Sequence, residues 1–250
     1  MTAAAKLGEP VRHLGTVGST MTEAARWAAA GAPHGAVVVA EHQDAGRGRH
    51  GRAWTAAPGE SLLFTIVLRP ALPSGRLGLI PLAAGLAVAE ALDAFGVKAR
   101  IKWPNDVRVD GKKLAGVLAE ASLAPGGPLV LLGVGLNVRQ RDFPDGLADA
   151  ATSLRLESGD DFAPLAALAP ILARLDAALD RAATAPDSLV AAVEARMERF
   201  GAEIDVRDPS RERLIVRGRV LGLASDGALR LATDAGETTV HAGEVTLAAP

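Results

Sequence analysis

The chain has no cysteine and no tyrosine, and its 250 residues include only three tryptophans and five phenylalanines. Without cysteine there can be no disulfide, no thiolate metal site and no cysteine nucleophile, which fits a reducing cytoplasm. An excess of positive charge is also missing. Lysine and arginine number 27 against 29 acidic residues, for a formal net charge of −2, so no global basic field points to nucleic acid. Each local basic cluster must therefore be weighed by itself. No apolar run reads as approaching the roughly 18 residues of a membrane-spanning helix. The opening MTAAAKLGEP has one lysine and no apolar core of the kind a signal peptide needs. A cytoplasmic location without a membrane partner is expected. The scarcity of aromatics beside abundant alanine reads as coding bias and carries no function.

What remains is globular. Hydrophobic residues at 49% supply a core, and charged residues at 22% argue against disorder. The length suits one large domain with a small appendage. Apolar patterning predicts a strand over 11–17, a helix over 22–30 ended by Gly31 and Pro33, and buried strands over 36–41 and 61–68. Residues 43–58 are rich in Gly, Arg and Pro and lack periodicity, so they form a long loop of the kind that carries function. A helix follows over 77–95, then strands over 99–103, 107–109, 114–121 and 129–138, with a hairpin at Asp110-Gly111. Two helices over 164–183 and 186–200 each begin with proline. Five short alternating runs after Gly201 suggest a small β-barrel. The expected fold is α/β (α+β), a mixed sheet backed by helices in residues 1–200 followed by the barrel in 201–250.

Four motifs carry chemistry. Gly46-Arg47-Gly48-Arg49-His50-Gly51-Arg52 satisfies the glycine spacing of a dinucleotide fingerprint. That reading needs a strand-to-helix turn, and the Ala53-Trp54-Thr55-Ala56-Ala57-Pro58 that follows cannot start an amphipathic helix. Three guanidinium groups on a glycine-rich backbone suit a phosphate or carboxylate, and equally a solvated basic loop or an RNA contact. Lys102-Trp103-Pro104-Asn105-Asp106, with Lys112-Lys113-Leu114-Ala115-Gly116 after it, offers point charge for phosphates and a carboxylate for magnesium, or else an ordinary turn and a solvated hairpin end. Gly133-Val134-Gly135-Leu136-Asn137 is a glycine-interrupted strand that marks close approach of a ligand or a bulge, and Asn137 has the groups to read an adenine edge. Gly18-Ser19-Thr20 reads first as a helix start, with Thr20 and Glu23 spaced as a capping box, and second as hydroxyls for a small polar ligand.

Taken in order, GST, EHQDAGRGRHGRAW, KWPND, KKLAG and GVGLN strongly resemble the biotin–protein ligase family over residues 11–140, and an SH3-like C-terminal piece extends the likeness to nearly the whole chain. The resemblance implies a class II synthetase-like catalytic domain of the biotin/lipoate ligase type. It implies a two-step activity: biotin and ATP give biotinyl-5′-AMP and pyrophosphate, and a lysine of a biotin carboxyl carrier domain, such as that of acetyl-CoA carboxylase, then takes the biotin. Ser19, Thr20, Gln43, Gly46, Arg47, Gly48, Arg49, Lys113 and Gly116 are then the biotin and biotinyl-adenylate residues, with Arg49 and Lys113 catalytic. Arg52, Trp54, Lys102, Asn105 and Asn137 are expected at the nucleotide, Trp54 covering the adenine, and Asp106 at Mg²⁺. Two positions depart from the family pattern: Met21 replaces an asparagine, and His50 interrupts the arginines, where its charge is expected to vary near neutral pH. The first motif lies so near the start that a ligase without a DNA-binding domain, and no DNA partner, is expected. A homodimer through an edge offered by strands 114–121 and 129–138 is a further expectation. Lipoate–protein ligases share the fold and the acyl-adenylate logic and form the nearest rival; a non-catalytic RNA-binding module is the other.

Overall fold

A computed structural model describes residues 6–124, 127–208 and 213–248, so the first five residues of the N-terminal segment lie outside it. Seven strands form the main sheet: β1 (Val11–Val17), β2 (Val37–Gln43), β3 (Ser61–Leu68), β4 (Arg100–Lys102), β5 (Asp106–Val109), β6 (Lys112–Ala124) and β7 (Gly127–Asn137). Their order is β1-β2-β3-β7-β6-β5-β4, with β1 and β2 parallel and the other ladders antiparallel. The mixed sheet is as expected.

Strand periodicity divides the sheet into two faces. On β7, Val130, Leu132, Val134 and Leu136 enter the main core, while Leu131 turns to the other side with Gly133 and Gly135, which face Met21 and Trp54. The core side is covered by α2 (Leu79–Leu92), α4 (Leu168–Thr184) and α5 (Pro186–Glu194). The opposite side is covered only in part, by α1 (Thr20–Ala29), whose Met21, Ala24 and Ala28 meet Val38, Val67 and Leu131. The uncovered remainder of that face is where a ligand has access.

The α2 segment corrects one expectation. Ser74–Phe95 is 22 residues long with mean hydropathy 1.6, enough by length and composition to cross a membrane. Twelve of the fourteen α2 residues are buried, between the sheet and α4, and a helix that is apolar all round belongs in such a core. Its end was legible: Gly96 takes φ 77 just past a short 3₁₀ turn.

Other boundaries moved. Ser19, not Thr20, caps α1, because its hydroxyl accepts from the Met21 N–H; Glu23 pairs with Arg26, so there is no capping box. Pro164–Ala167 is a 3₁₀ turn ahead of α4, and the helix expected to reach residue 200 stops at Glu194. A short helix, α3 (Leu154–Ser158), was not expected, although Ser153 caps its start and Gly159 ends it at φ 82. Strand β7 is interior, paired with β3 and β6, so it offers no edge; only the outer half of β6 runs beyond β5.

The C-terminal part forms one antiparallel sheet of five strands, β8 (Glu203–Asp208), β9 (Arg213–Leu223), β10 (Leu229–Thr233), β11 (Gly236–Val240) and β12 (Glu244–Leu247), in the order β11-β10-β9-β8-β12. Its Ile204, Val206, Val220 and Leu231 belong to the same apolar cluster as α2. Polar ties reinforce that joint. Trp103 Nε1 donates to the Gly227 carbonyl at 3.1 Å, and Glu194 accepts from the Leu223 N–H at 2.6 Å.

Candidate active site

The uncovered face is floored by glycine. Gly116 on β6 and Gly135 on β7 leave room that the Trp54 indole fills: a Cβ on Gly135 would lie 2.6 Å from the ring and one on Gly116 would lie 3.1 Å from it. Gly133 is covered by Met21, whose sulfur would stand 2.9 Å from an added Cβ. Met21 thus replaces a polar amide with a buried thioether that packs against a glycine.

Trp54 comes from the arginine loop, which is more ordered than its composition suggests. Arg47 and Ala53 form an antiparallel bridge, the Gly48 N–H donates to the Arg52 carbonyl at 2.7 Å, and the Trp54 N–H donates to the Gly46 carbonyl at 2.9 Å. A 3₁₀ turn over Arg49–Gly51, with His50 at φ 57, closes a small lobe. Gly46 is needed for close approach, since a Cβ there would sit 2.3 Å from the Trp54 carbonyl oxygen.

One end of the cleft is a neutral hydrogen-bond chain. The Thr65 hydroxyl donates to Thr20 Oγ1 at 2.8 Å, and the Thr20 N–H and hydroxyl both donate to Gln43 Oε1, at 2.8 and 3.0 Å. This commits the Gln43 oxygen and leaves its Nε2 as the donor end beside Gly46. Ser19, Thr20, Gln43, Trp54 and Lys113 together line a narrow cavity of about 50 Å³.

The other end is charged. Lys113 Nζ lies 2.7 Å from Asp106 Oδ1 and 5.5 Å from the Trp54 ring centroid. Arg49 donates to Asn105 Oδ1 at 3.0 Å, while Asn105 Nδ2 donates to the Val117 carbonyl at 2.8 Å, so Asn105 braces the arginine against β6. Burial lowers the pKa of both Arg49 and Lys102, opposed by Asp106 and Glu244; the guanidinium stays protonated regardless. Arg52 forms an ion pair with Glu244 of β12, and that hydrogen bond holds the Glu244 carboxyl below its usual range. His50 is pushed down by desolvation and then by Arg49 and Arg52, which favours its neutral imidazole. A cavity of about 350 Å³ collects Arg49, Lys102, Asp106, Lys113, Asn137 and Glu244.

Two expected residues line these cavities and are also engaged by the fold. Arg47 pairs with Glu120 at 3.4 Å, on the outer side of the lobe, beside a larger cavity of about 790 Å³ that reaches Asp226 and His241. The Asn137 amide donates to the Thr152 carbonyl at 2.9 Å and so is partly committed to the fold.

Residues 15–138 match the biotin/lipoate A/B protein ligase family, and residues 201–247 match the biotin protein ligase C-terminal domain. Over 239 residues the chain is 38% identical to the biotin–[acetyl-CoA-carboxylase] ligase of Mycobacterium tuberculosis, covering 91% of this chain and 85% of that protein. The chain belongs to the biotin protein ligase family of enzymes. A solved biotin protein ligase from Aquifex aeolicus, in complex with biotin and ATP, superposes with a TM-score of 0.83 at 30% identity, over 95% of this chain and 98% of that one. Against the bifunctional ligase/repressor of Bacillus spizizenii the identity is 38% over 158 residues, 62% of this chain; the match spans 49% of that relative's length.

Within this ligase fold, motif reading missed Glu244, Arg108, Phe143 and Leu147, all of which line the charged cavity. Their only signal is spatial: β12 and the 139–151 segment reach the cleft through the tertiary fold. Among the described residues, no three His, Cys, Asp or Glu side chains gather as an all-protein metal site. Asp106 and Glu244 do line one cavity, and Mg²⁺ is commonly held by one or two carboxylates together with substrate phosphates, so the donor set fits that mode.

Proposed function

We propose that this chain activates biotin as biotinyl-5′-AMP and transfers it to a specific lysine of a biotin carboxyl carrier domain, such as that of acetyl-CoA carboxylase. The observation that carries this reading is the cleft's polarity. A neutral Thr20–Gln43 end suits a ureido group, and an Arg49–Lys113 end suits the carboxylate and α-phosphate that must meet. A carboxylate oxygen of biotin attacks the α-phosphorus, and the bond to pyrophosphate breaks with its electron pair on the departing oxygen. The carrier amine then attacks the acyl carbon and releases AMP. Neither step requires an enzyme nucleophile; the protein supplies position and charge.

Ser19, Thr20, Gln43, Gly46, Gly48 and Gly116 shape the biotin end, and Arg47 lies beside it. Lys102, Arg52 and Asn137 face the nucleotide side, and Asn105 acts by holding Arg49. Trp54 is assigned to the biotin side, across Gly116 and Gly135, rather than over the adenine. A cavity of about 50 Å³ is too small for a bicyclic acid, since ligand sites run to some 300–1,000 Å³. The lobe therefore shifts to admit biotin, with Trp54 kept over Gly135 as one wall. Bound at Asp106 beside the phosphates, Mg²⁺ would neutralise charge as pyrophosphate departs.

The same reading keeps the domain division at 200/201 and a cytoplasmic location, with a homodimer through the free half of β6. The test of the substrate is ATP–pyrophosphate exchange driven by biotin, with lipoate alongside. Exchange with biotin alone supports the assignment, and exchange driven by lipoate alone overturns it.

A further inference from the structure

We propose that the outward face of β4 and β5, capped by Arg199, seats the β- and γ-phosphates of ATP and the pyrophosphate that leaves. The proposal rests on the adenylating reading above and assigns Arg100, Arg108 and Arg199, which belong to none of the sequence motifs, to that task. The ladder registers place Lys113 opposite Arg108 and Arg108 opposite Arg100, so three cations lie in one row across three strands. Gly116, Asp106 and Lys102 form the adjacent row. The reverse faces of β4 and β5 carry Ile101, Val107 and Val109 into the core, which fixes the charged residues outward.

Like charges directly opposite on neighbouring strands destabilise a sheet, and this fold keeps them without full neutralisation. Asp106 answers Lys113 at 2.7 Å and Glu198 answers Arg108 at 3.2 Å; among the described residues, no ion pair is seen at Arg100, Lys102 or Arg199. Arg199 carries the second, independent observation. Its Nη1 is buried without a hydrogen-bond partner, and its backbone sits at φ 63, a left-handed conformation unusual for a side chain of this size. A cavity of about 400 Å³ lies between Arg100, Gly111 and Arg199. A guanidinium nitrogen buried without a partner, on a left-handed backbone, is costly in a resting protein and useful when an anion arrives. Arg108 and Arg199 both lie close enough to Lys102 to oppose its protonation, so the strip is electrically continuous with the nucleotide cavity. Strands lie about 4.8 Å apart, so the row from Lys113 to Arg100 spans roughly 10 Å, leading away from the reacting α-phosphate.

The test is Arg199→Gly, since glycine accepts this φ without strain and the fold is retained, with Arg199→Lys as the charge-keeping partner. Three quantities are read: KM for ATP, binding of pyrophosphate itself by calorimetry, and the rate of transfer from preformed biotinyl-5′-AMP to a carrier domain. In Arg199→Gly, KM for ATP should rise and pyrophosphate affinity should fall by about tenfold, the loss of one charge-assisted hydrogen bond, with transfer unchanged. Arg199→Lys should recover part of both. Unchanged ATP and pyrophosphate values overturn the proposal. So does a raised KM for the carrier alone, which would make the strip a protein-docking face. Pyrophosphate binding is measured without biotin, so failure of the biotin assignment is separable from failure of this one.

Discussion

Replacing Gly135 with alanine puts a methyl group where the Trp54 ring lies, 2.6, 2.8 and 2.9 Å from its Cε2, Cζ2 and Cδ2 atoms. Carbon atoms settle at about 3.5–4.0 Å, so the indole must retreat by roughly 1 Å. It cannot simply slide along the floor, because Gly116 already sits under its Cζ3 edge. The retreat pulls on the lobe, since the Trp54 N–H is tied to Gly46. The folding cost should be near the lower end of the roughly 1–3 kcal/mol typical of overpacking, because Trp54 is on a surface loop. The catalytic cost should be larger: misplacement by about 1 Å at a reacting site is worth about 10²-fold. Gly133→Ala is the control, because it meets the Met21 thioether, which can swing aside. Biotin-dependent adenylation kinetics with thermal unfolding measure both. We expect kcat/KM for biotin to fall about 10²-fold in Gly135→Ala and less than tenfold in Gly133→Ala. Equal effects in the two variants, or none in Gly135→Ala, would refute the seating of Trp54.

Ser19→Ala should cost about 1 kcal/mol in thermal unfolding by removing the α1 cap, while an unchanged midpoint would reassign the cap. Asp106→Asn should shift stability by less than about 1 kcal/mol, because its pair with Lys113 is partly exposed, yet raise the magnesium concentration for half-maximal activity; an unchanged magnesium profile would remove Asp106 from metal binding. The Glu244 carboxyl is held below its ordinary 4.5, so its pairing with Arg52 is complete above that value and is lost as pH falls through the lower folded value. Hydrogen exchange over residues 46–54 should therefore stay protected at pH 5 and quicken only below about 4.5, and Glu244→Gln should quicken it at every pH. Exchange indifferent to that substitution would show the lobe to be held by other contacts.

Legibility followed locality. Gly133 and Gly135 were readable as close-approach positions because alternation along one strand fixes which face they share. The Asp110-Gly111 hairpin and the Gly96 stop were readable because each rests on a few adjacent dihedrals. The helix cap was misplaced by one residue because Ser19 and Thr20 are both competent, and the choice came from Gln43, which engages the Thr20 N–H and hydroxyl. The 74–95 run was not recognised as span-length because Gly, Pro and Ala dilute it, and its burial depends on α4 covering it. The seat of Trp54 across Gly116 and Gly135 was not readable, since nothing in GRGRHGRAW shows how tightly the lobe folds back on itself. Glu244 and Arg199 were silent because their meaning depends on the C-terminal sheet and the 195–200 turn arriving beside β4.

The most direct test of the central assignment is transfer itself. The protein, ATP, Mg²⁺ and biotin are incubated with a biotin carboxyl carrier domain, and the carrier's intact mass is read with and without its target lysine. The account predicts a gain of one biotinyl group that requires ATP and disappears when the lysine is replaced. An unmodified carrier, or a gain that occurs with lipoate and not with biotin, would contradict it.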